Sequence, residues 1–187
     1  MAQTSTHTDV IDLLVDQHAQ IRQLFMQTLM SEGEERKEFF GQLVRLLAVH
    51  ETAEEEVVHP MARKTLPNGD ALIDDRLEEE RKAKELLATL EKMDVNDPNF
   101  MSMLDRLRMA VLTHARAEER YEFPQLRDRL GASGMRTMLS AVKAAEATAP
   151  THPHPGTESA SKNLLLGPIA AISDRVRDAI RAHRDKG

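Results

Sequence analysis

The sequence predicts an all-α protein built as an up-down-up-down four-helix bundle, and three observations lead to this fold. The composition is rich in Ala, Leu, Glu, Arg and Met, and only 3% of the residues are aromatic, as is typical of helical proteins. Four long segments repeat apolar residues at helical spacing. The polar breaks between these segments are short, so consecutive helices are expected to pack as antiparallel neighbours.

Each of the four segments is bounded by helix start or stop signals. The first runs from Thr8 to Met30, and Thr8 and Asp9 are candidate N-caps. The second runs from Glu35 to Leu66 and stops at a Pro-Asn-Gly-Asp turn. The third covers residues 71–93, and the fourth covers residues 100–130 and is expected to end at the following glycine.

The sequence also predicts structure beyond the four helices. A short fifth helix is expected over 134–147, so the helical bundle domain spans residues 8–147. A Pro- and Ser-rich linker follows over 148–163. The tail, residues 164–187, again shows helical periodicity and is expected to form an amphipathic helix. This C-terminal helix would fold back on the bundle or pair with a second copy, giving a monomer or a homodimer.

Composition excludes several classes of function. The chain has no cysteine, which removes disulfides, thiolate metal sites and cysteine nucleophiles. A net charge of −6 without a dense Lys/Arg stripe argues against nucleic acid as a partner. No stretch approaches the roughly 18 apolar residues of a transmembrane helix, and the polar N-terminal residues do not resemble a secretory signal. We therefore expect a soluble, cytoplasmic protein without a transmembrane segment.

The chain repeats a pair of helices. Residues 50–55, HETAEE, recur as residues 114–119, HARAEE, sixty-four positions later. Each copy reaches a proline ten residues after its histidine. The preceding helices match with an offset of sixty-two positions, which makes His18 correspond to Glu80. The bundle is therefore interpreted as a duplicated helix pair.

Six titratable residues occupy positions that the apolar stripes assign to the core. Burial of unpaired imidazoles and carboxylates is costly, so these groups require a shared partner. His and Glu at positions i and i+4 lie on one helix face, and the six residues fall at similar depths along the bundle axis. Histidine and glutamate on facing helices are the ligands of metal sites inside bundles. The sequence thus predicts a metal centre formed by His18, His50, Glu54, Glu80, His114 and Glu118.

Three assignments near this site leave alternatives. Glu80 follows two other glutamates, so it could instead lie on a solvated flank. His59 lies five residues after Glu54, an angle that would turn it away from the ligand row of an α-helix; the alternative is that it supports a ligand or gates access to the site. Tyr121 follows His114 by seven residues and is expected to point at the site, where it could bind metal, donate a proton as the catalytic residue, or simply pack.

These motifs resemble the hemerythrin-like, cation-binding HHE domain family. The resemblance covers residues 8–130 and is carried by residues 11–18 (IDLLVDQH), 50–60 (HETAEEEVVHP) and 114–124 (HARAEERYEFP). It implies a four-helix bundle that holds a non-haem di-iron centre, two iron ions joined by an oxo or hydroxo bridge.

The resemblance also implies roles for the individual residues. Glu54 and Glu118 would bridge the two irons, and the terminal nitrogen ligands would be His18, His50 and His114. Two positions depart from the family pattern. Glu80 stands where a third-helix histidine is usual, and its role as a sixth ligand is inferred from its register. His59 stands where an aromatic residue usually precedes the first proline.

The ligand types indicate redox chemistry on small molecules. Three carboxylates favour Fe(III), which lowers the reduction potential and weakens reversible dioxygen carriage. We therefore expect the protein to disproportionate or reduce hydrogen peroxide, as a catalase- or peroxidase-like enzyme in oxidative-stress defence. Two alternatives remain open at this point: reversible binding or sensing of dioxygen or nitric oxide, and storage or buffering of iron.

Overall fold

The structure, a computed structural model, describes residues 7–152, so most of the predicted linker and the whole predicted C-terminal helix lie outside the described residues. The helices in chain order are α1 (Val10–Met30), α2 (Gly33–Ala53), α3 (His59–Thr65), α4 (Gly69–Leu90), α5 (Phe100–Ala117) and α6 (Phe123–Glu146). Two π-helical turns, Glu54–Val58 and Glu118–Glu122, join α2 to α3 and α5 to α6. None of the helices within residues 7–152 has the length and apolar character to cross a lipid bilayer.

Four helical rods form the bundle. The first is α1, the second is α2 with α3, the third is α4, and the fourth is α5 with the beginning of α6. Helix α1 packs against α2, α4 packs against α5, and α6 packs against α1. Short connections make consecutive rods antiparallel. The all-α, four-helix architecture predicted from the sequence is confirmed.

The apolar core is divided into two clusters along the bundle axis. One cluster contains Leu14, Ala53 and Ile73, and the other contains Ile21, Leu47 and Ala83. On each rod, the residues predicted to bind metal lie in the sequence between members of these two clusters. The fold therefore places the polar site in the middle of the bundle, with apolar layers on both sides.

The fourth rod ends at a bend at Gly131, where the sequence predicted a helix end. Gly131 has φ 61° and ψ 177°, a conformation that glycine adopts without a steric penalty. The chain bends there and continues as the second half of α6, which ends at Glu146. The predicted fifth helix over 134–147 is this second half. Its Met135 and Met138 are fully buried in the same apolar cluster as Leu14.

The turn before α4 leaves no room for a side chain at Gly69. Asn68 precedes it in the left-handed conformation, with φ 55°. A Cβ on Gly69 would lie 2.4 Å from the carbonyl oxygen of Arg63 and 2.8 Å from that of Ala62. Both neighbours belong to the backbone of α3, so only a shift of that helix or of the turn could relieve the clash.

We expect Gly69→Ala to lower the free energy of unfolding by roughly 1–3 kcal/mol, the usual cost of overpacking. The matched control is Gly41→Ala, because Gly41 lies within α2 and a Cβ there meets nothing within 4 Å. That variant is expected to raise the free energy of unfolding by roughly 0.5–1 kcal/mol through helix propensity. Urea unfolding followed by circular dichroism measures both, and equal effects at the two positions would contradict the packing at the turn.

Candidate metal centre

The six residues predicted as metal ligands meet in one cluster in the middle of the bundle, and every rod contributes at least one. His18 Nε2 lies 3.1 Å from His50 Nε2 and 3.4 Å from Glu118 Oε2. His50 Nε2 lies 3.3 Å from Glu54 Oε2. The carboxylates of Glu54 and Glu118 are completely buried, with 0% exposure. The set is His18 on α1, His50 and Glu54 on the second rod, Glu80 on α4, and His114 and Glu118 on the fourth rod.

The remaining contacts connect α4 to the fourth rod. His114 Nε2 lies 3.3 Å from Glu118 Oε1 and 3.6 Å from Glu80 Oε1. Glu80 is 2% exposed, so it lies in the core and not on a solvated flank. The two glutamates before Glu80 point in different directions. Glu78 lies at the surface, whereas the Glu79 carboxylate contacts Nδ1 of His114.

The structure adds His59 to this cluster, and the expectation that it turns away from the ligand row was wrong. His59 is 2% exposed, and its Nε2 lies 2.5 Å from Glu80 Oε1. The reason is the first π-helical turn, in which the His59 backbone N–H donates to the Glu54 carbonyl. An i→i+5 hydrogen bond inserts one residue into the turn, so a residue five positions after Glu54 returns to the same face.

A sequence signal for this turn was present in Pro60. A proline inside a helix has no N–H to donate, and its ring clashes with the carbonyl four residues earlier. The predicted second helix, 35–66, contained Pro60 without a break. Widening of the preceding turn accommodates the ring, and Pro124 follows the second π-helical turn in the same way.

Tyr121 lies away from the cluster, contrary to the expectation that it points at the site. Its side chain is 58% exposed, and the Arg120 guanidinium lies 5.5 Å from its ring centroid. Residues seven positions apart lie on the same face only in an unbroken α-helix. The second π-helical turn lies between His114 and Tyr121 and rotates the following side chains, so Tyr121 does not share the face of His114. The next residue, Glu122, is buried instead, and its Oε1 lies 4.0 Å from His59 Nδ1.

Three sets of side chains could each hold a cation. Within each set, every residue offers one ligand atom, and these atoms lie within 4.8 Å of one another. Glu54 belongs to all three sets, so one carboxylate connects the whole cluster. The sets are His18 with His50 and Glu54, Glu54 with His59 and Glu80, and Glu54 with His114 and Glu118.

Histidine orientation supports a role in metal binding. Three of the histidines direct Nε2 into the cluster and Nδ1 to an acceptor outside it. Metal-binding histidines typically donate from the second ring nitrogen to a carboxylate or carbonyl, which leaves the first nitrogen free to bind the ion. The Nδ1 contacts are 2.9 Å from His18 to Glu119 Oε1, 2.7 Å from His50 to Gln17 Oε1, and 3.0 Å from His114 to Glu79 Oε2.

These outer acceptors are themselves held by further partners. Arg22 Nη1 lies 3.1 Å from Glu119 Oε1, and Arg76 donates to Glu79. Gln17 Nε2 lies 2.5 Å from Glu146 Oε1, so the end of α6 reaches the outer layer of the site. Each ring is therefore fixed in orientation by a chain of two contacts.

Burial and neighbouring charges shift the pKa values of the cluster in the metal-free protein. Burial raises the pKa of Glu54 well above its usual range, and the Glu118 carboxylate raises it further. Burial also lowers the pKa of His50 to about 3, with a further contribution from the charge of His18. Burial acts to raise the pKa of Glu118 too, but the adjacent His114 outweighs it and holds that pKa well below the usual value.

The donor set fits bound cations. Among the described residues, both carboxylate oxygens of Glu54 and of Glu118, and Nε2 of His114, have no hydrogen-bond partner. Leaving a buried polar group unsatisfied costs about 1–3 kcal/mol, and more when it is charged. Cations coordinated by these atoms would remove that cost, and mixed imidazole and carboxylate donors suit divalent transition metals.

A small pocket lies against the cluster. It lies between α1, α2, α4 and α5, and its lining includes the apolar side chains of Ile21, Leu47 and Val111. His18, His50 and His114 also line it. A small molecule in this pocket would therefore be in contact with the cluster.

Comparison with known proteins agrees with the fold and with a cation-binding domain. The hemerythrin HHE cation binding domain family matches residues 9–126. A solved structure of a hemerythrin HHE cation binding domain-containing protein, the Rv2633c homolog from Mycobacterium kansasii, superposes with a TM-score of 0.65 over 90% of this chain and 98% of that one. The sequences are 18% identical, so this likeness concerns the fold.

Among curated proteins, a DNA nickase from Nostoc sp. is 27% identical over 139 residues, which are 74% of this chain and 39% of that protein. The chain thus spans well under half the length of that relative. The family match covers most of the chain and includes all seven clustered histidines and glutamates. The chain belongs to the hemerythrin HHE cation-binding domain family.

Proposed function

We propose that the cluster holds two iron ions and that the protein disproportionates hydrogen peroxide. The observation that carries this proposal is the pair of completely buried carboxylates, Glu54 and Glu118, which lie between two groups of imidazoles without a hydrogen-bond partner among the described residues. A shared carboxylate between adjacent donor sets is the arrangement expected for two cations.

The seven side chains divide into two positions. One position would be held by the imidazoles of His18 and His50, and the other by His59, Glu80 and His114. Glu54 and Glu118 lie between them and would serve both. His59 makes the set less anionic than the sequence indicated, yet three carboxylates remain, which favours oxidised iron and turnover over reversible dioxygen carriage.

The reaction requires transfer of two electrons between peroxide molecules. One molecule is reduced to two waters and the other is oxidised to dioxygen, so two molecules of peroxide give one dioxygen and two waters. Bound iron would supply the redox chemistry. The chain itself contributes an apolar pocket wall that limits entry of bulk water, and fixed imidazole orientations that keep the ligand nitrogens directed inward.

The apolar pocket wall also suits an uncharged diatomic molecule, so reversible binding or sensing of dioxygen or nitric oxide is the second candidate. Iron buffering is a third. A stable, reversible spectral adduct without turnover would favour binding. Iron uptake and release without any response to peroxide, dioxygen or nitric oxide would favour buffering.

We expect the iron-loaded protein to contain two irons per chain and to release dioxygen from peroxide. Glu54→Gln removes a carboxylate that both positions use, so it should reduce iron content to at most one per chain. Dioxygen release should fall about 100-fold or more, beyond the loss typical of outer contacts to a metal site. Glu38→Gln, at an exposed position on α2, is the matched control and should change neither quantity. An oxygen electrode and iron analysis measure both, and an iron-loaded wild-type protein without dioxygen release would refute the proposed reaction.

Removal of metal should destabilise the fold, because the buried carboxylates then lose their counter-charges. At a free metal concentration about 100 times the Kd, binding contributes about 2.7 kcal/mol. For a chain of this size that corresponds to a rise of roughly 5–10 °C in the unfolding temperature. Thermal scans with and without a chelator measure the difference. Glu54→Gln should lose most of this response, whereas equal unfolding temperatures for metal-free and loaded wild-type protein would contradict the metal site.

The metal-free protein should become less stable as the pH rises from 7 to 9. Burial raises the pKa of Glu51 and of Glu55 to about 8. Burial acts to lower the pKa of His59, but the Glu80 carboxylate outweighs it and raises that pKa to about 9. In this range the folded protein holds protons that the unfolded chain has released, so a rise in pH favours unfolding. The lowered pKa of His50 affects stability only at lower pH. Urea unfolding at pH 7, 8 and 9 tests the trend, and constant or rising stability would contradict it.

A further inference from the structure

The two halves of the duplicated bundle build the same contact with different residues. With the offsets found in the sequence, position 18 corresponds to position 80, and position 59 corresponds to position 123. Both contacts join one half to the other. Between positions 18 and 123, the rings of His18 and Phe123 are stacked, with centroids 5.8 Å apart and planes 13° apart. Between the equivalent positions 80 and 59, Glu80 Oε1 lies 2.5 Å from His59 Nε2. We call positions 18 and 80 the first position of the contact, and positions 123 and 59 the second. The imidazole lies at the first position in one contact (His18) and at the second position in the other (His59).

The backbone is equivalent at both second positions. The His59 N–H donates to the Glu54 carbonyl, and the Phe123 N–H donates to the Glu118 carbonyl. Each residue closes a π-helical turn and directly precedes a proline. The backbone of His59 therefore has the same position relative to Glu54 as the backbone of Phe123 has relative to Glu118. The two residues differ only in the side chain that they direct to the cluster.

The layer around the exchanged positions is also retained. Arg22, four residues after His18, contacts Glu119. Lys84, four residues after Glu80, contacts Glu55. The two contacts are related by the same sequence offsets, so this pair of surrounding ion contacts is retained on both sides of the cluster.

We propose that His59 and Glu80 are an exchanged ligand pair: His59 supplies the nitrogen ligand that position 80 no longer provides, and Glu80 adds a third carboxylate to the same cation. This inference rests on the proposed metal pair and is independent of the peroxide reaction. His59 is buried beside Glu54 and Glu80 within one group of closely spaced ligand atoms. Its Nδ1 lies 4.0 Å from the Glu122 carboxylate, on the side where the other histidines also have an acceptor.

The exchange makes the two cation positions unequal. The position at His18 and His50 has no carboxylate of its own, whereas the position at His59 and His114 has Glu80. An additional carboxylate attracts a divalent cation more strongly and favours harder ions. The position beside Glu80 is therefore expected to fill first when metal is limiting.

The experiment is a titration of the metal-free chain, residues 1–187, with Co²⁺, followed by visible absorption and equilibrium dialysis. Wild type should bind two ions per chain. His59→Gln keeps a hydrogen-bond donor for Glu80 but removes the ring nitrogen. It should lower the affinity for one of the two Co²⁺ ions by about 10–100-fold and change the absorption bands of that ion. His59→Phe should do the same, and it is the less conservative variant because it also leaves Glu80 without its partner.

The double variant His59→Phe/Glu80→His copies the pair that the chain already has at positions 18 and 123. It should restore binding of two ions with affinities within about threefold of each other, because both positions would then have two imidazoles. Single Glu80→His should keep two ions but leave their affinities different, because one position would then have three imidazoles and the other two. These measurements distinguish two roles of His59, a metal ligand and a buried ion-pair partner of Glu80 that only stabilises the fold. If His59 were only an ion-pair partner, its replacement would lower the free energy of unfolding and leave both Co²⁺ affinities unchanged.

The possible failures are distinguishable. If wild type binds fewer than two ions, the proposed metal pair fails and this inference fails with it. If wild type binds two ions and His59→Gln binds both with unchanged affinity, the exchange is wrong and the metal pair stands. Loss of an ion in His59→Phe that the double variant does not restore would also overturn the exchange.

Discussion

The whole arrangement depends on two carboxylates, Glu54 and Glu118, that are completely buried in the middle of an apolar bundle. Water is excluded from them by one apolar cluster on each side along the axis. Their charge must therefore be balanced within the bundle, and the imidazoles that surround them balance it only in part. The proposed cations between the two carboxylates would provide the missing charge, and the histidines, which direct their second nitrogens outward to fixed acceptors, are oriented to bind them.

The two π-helical turns decide which residues reach these carboxylates. Each turn begins at one of them and ends just before a proline. The residue four positions before the carboxylate and the residue five positions after it consequently face the same cluster. On the second rod these are His50 and His59, and on the fourth they are His114 and Phe123. A regular α-helix would present only the first member of each pair, so the widened turn increases the number of ligands that one rod can offer.

The sequence predicted most of the fold and six of the seven clustered side chains, for physical reasons that also explain what it missed. Apolar periodicity defines a helix face, and polar residues such as Glu80 that fall on that face must be buried. This argument holds wherever the helix has 3.6 residues per turn. It fails after Glu54 and after Glu118, where the phase changes, and these are the places where His59 and Tyr121 were misplaced. The interpretation of Gly131 as a helix end holds, because the backbone leaves the helical conformation there before the second half of α6 begins.

The two helix pairs share a sequence pattern but differ in side chains around the cluster, and these differences give its two sides unequal charge. Helix α1 contributes Gln17 and His18 to the cluster and its outer layer, whereas the corresponding positions of α4 contribute the acidic residues Glu79 and Glu80. Arg76 contacts Glu79 and offsets part of this charge, and its counterpart on α1 is the buried Leu14. The α4 side of the cluster is therefore the more anionic one, although the backbone of both halves follows the same course. If the cluster holds the two cations proposed above, this difference in charge would make their positions unequal before any small molecule binds. Differences in side chains alone would then account for an unsymmetric site on a duplicated backbone.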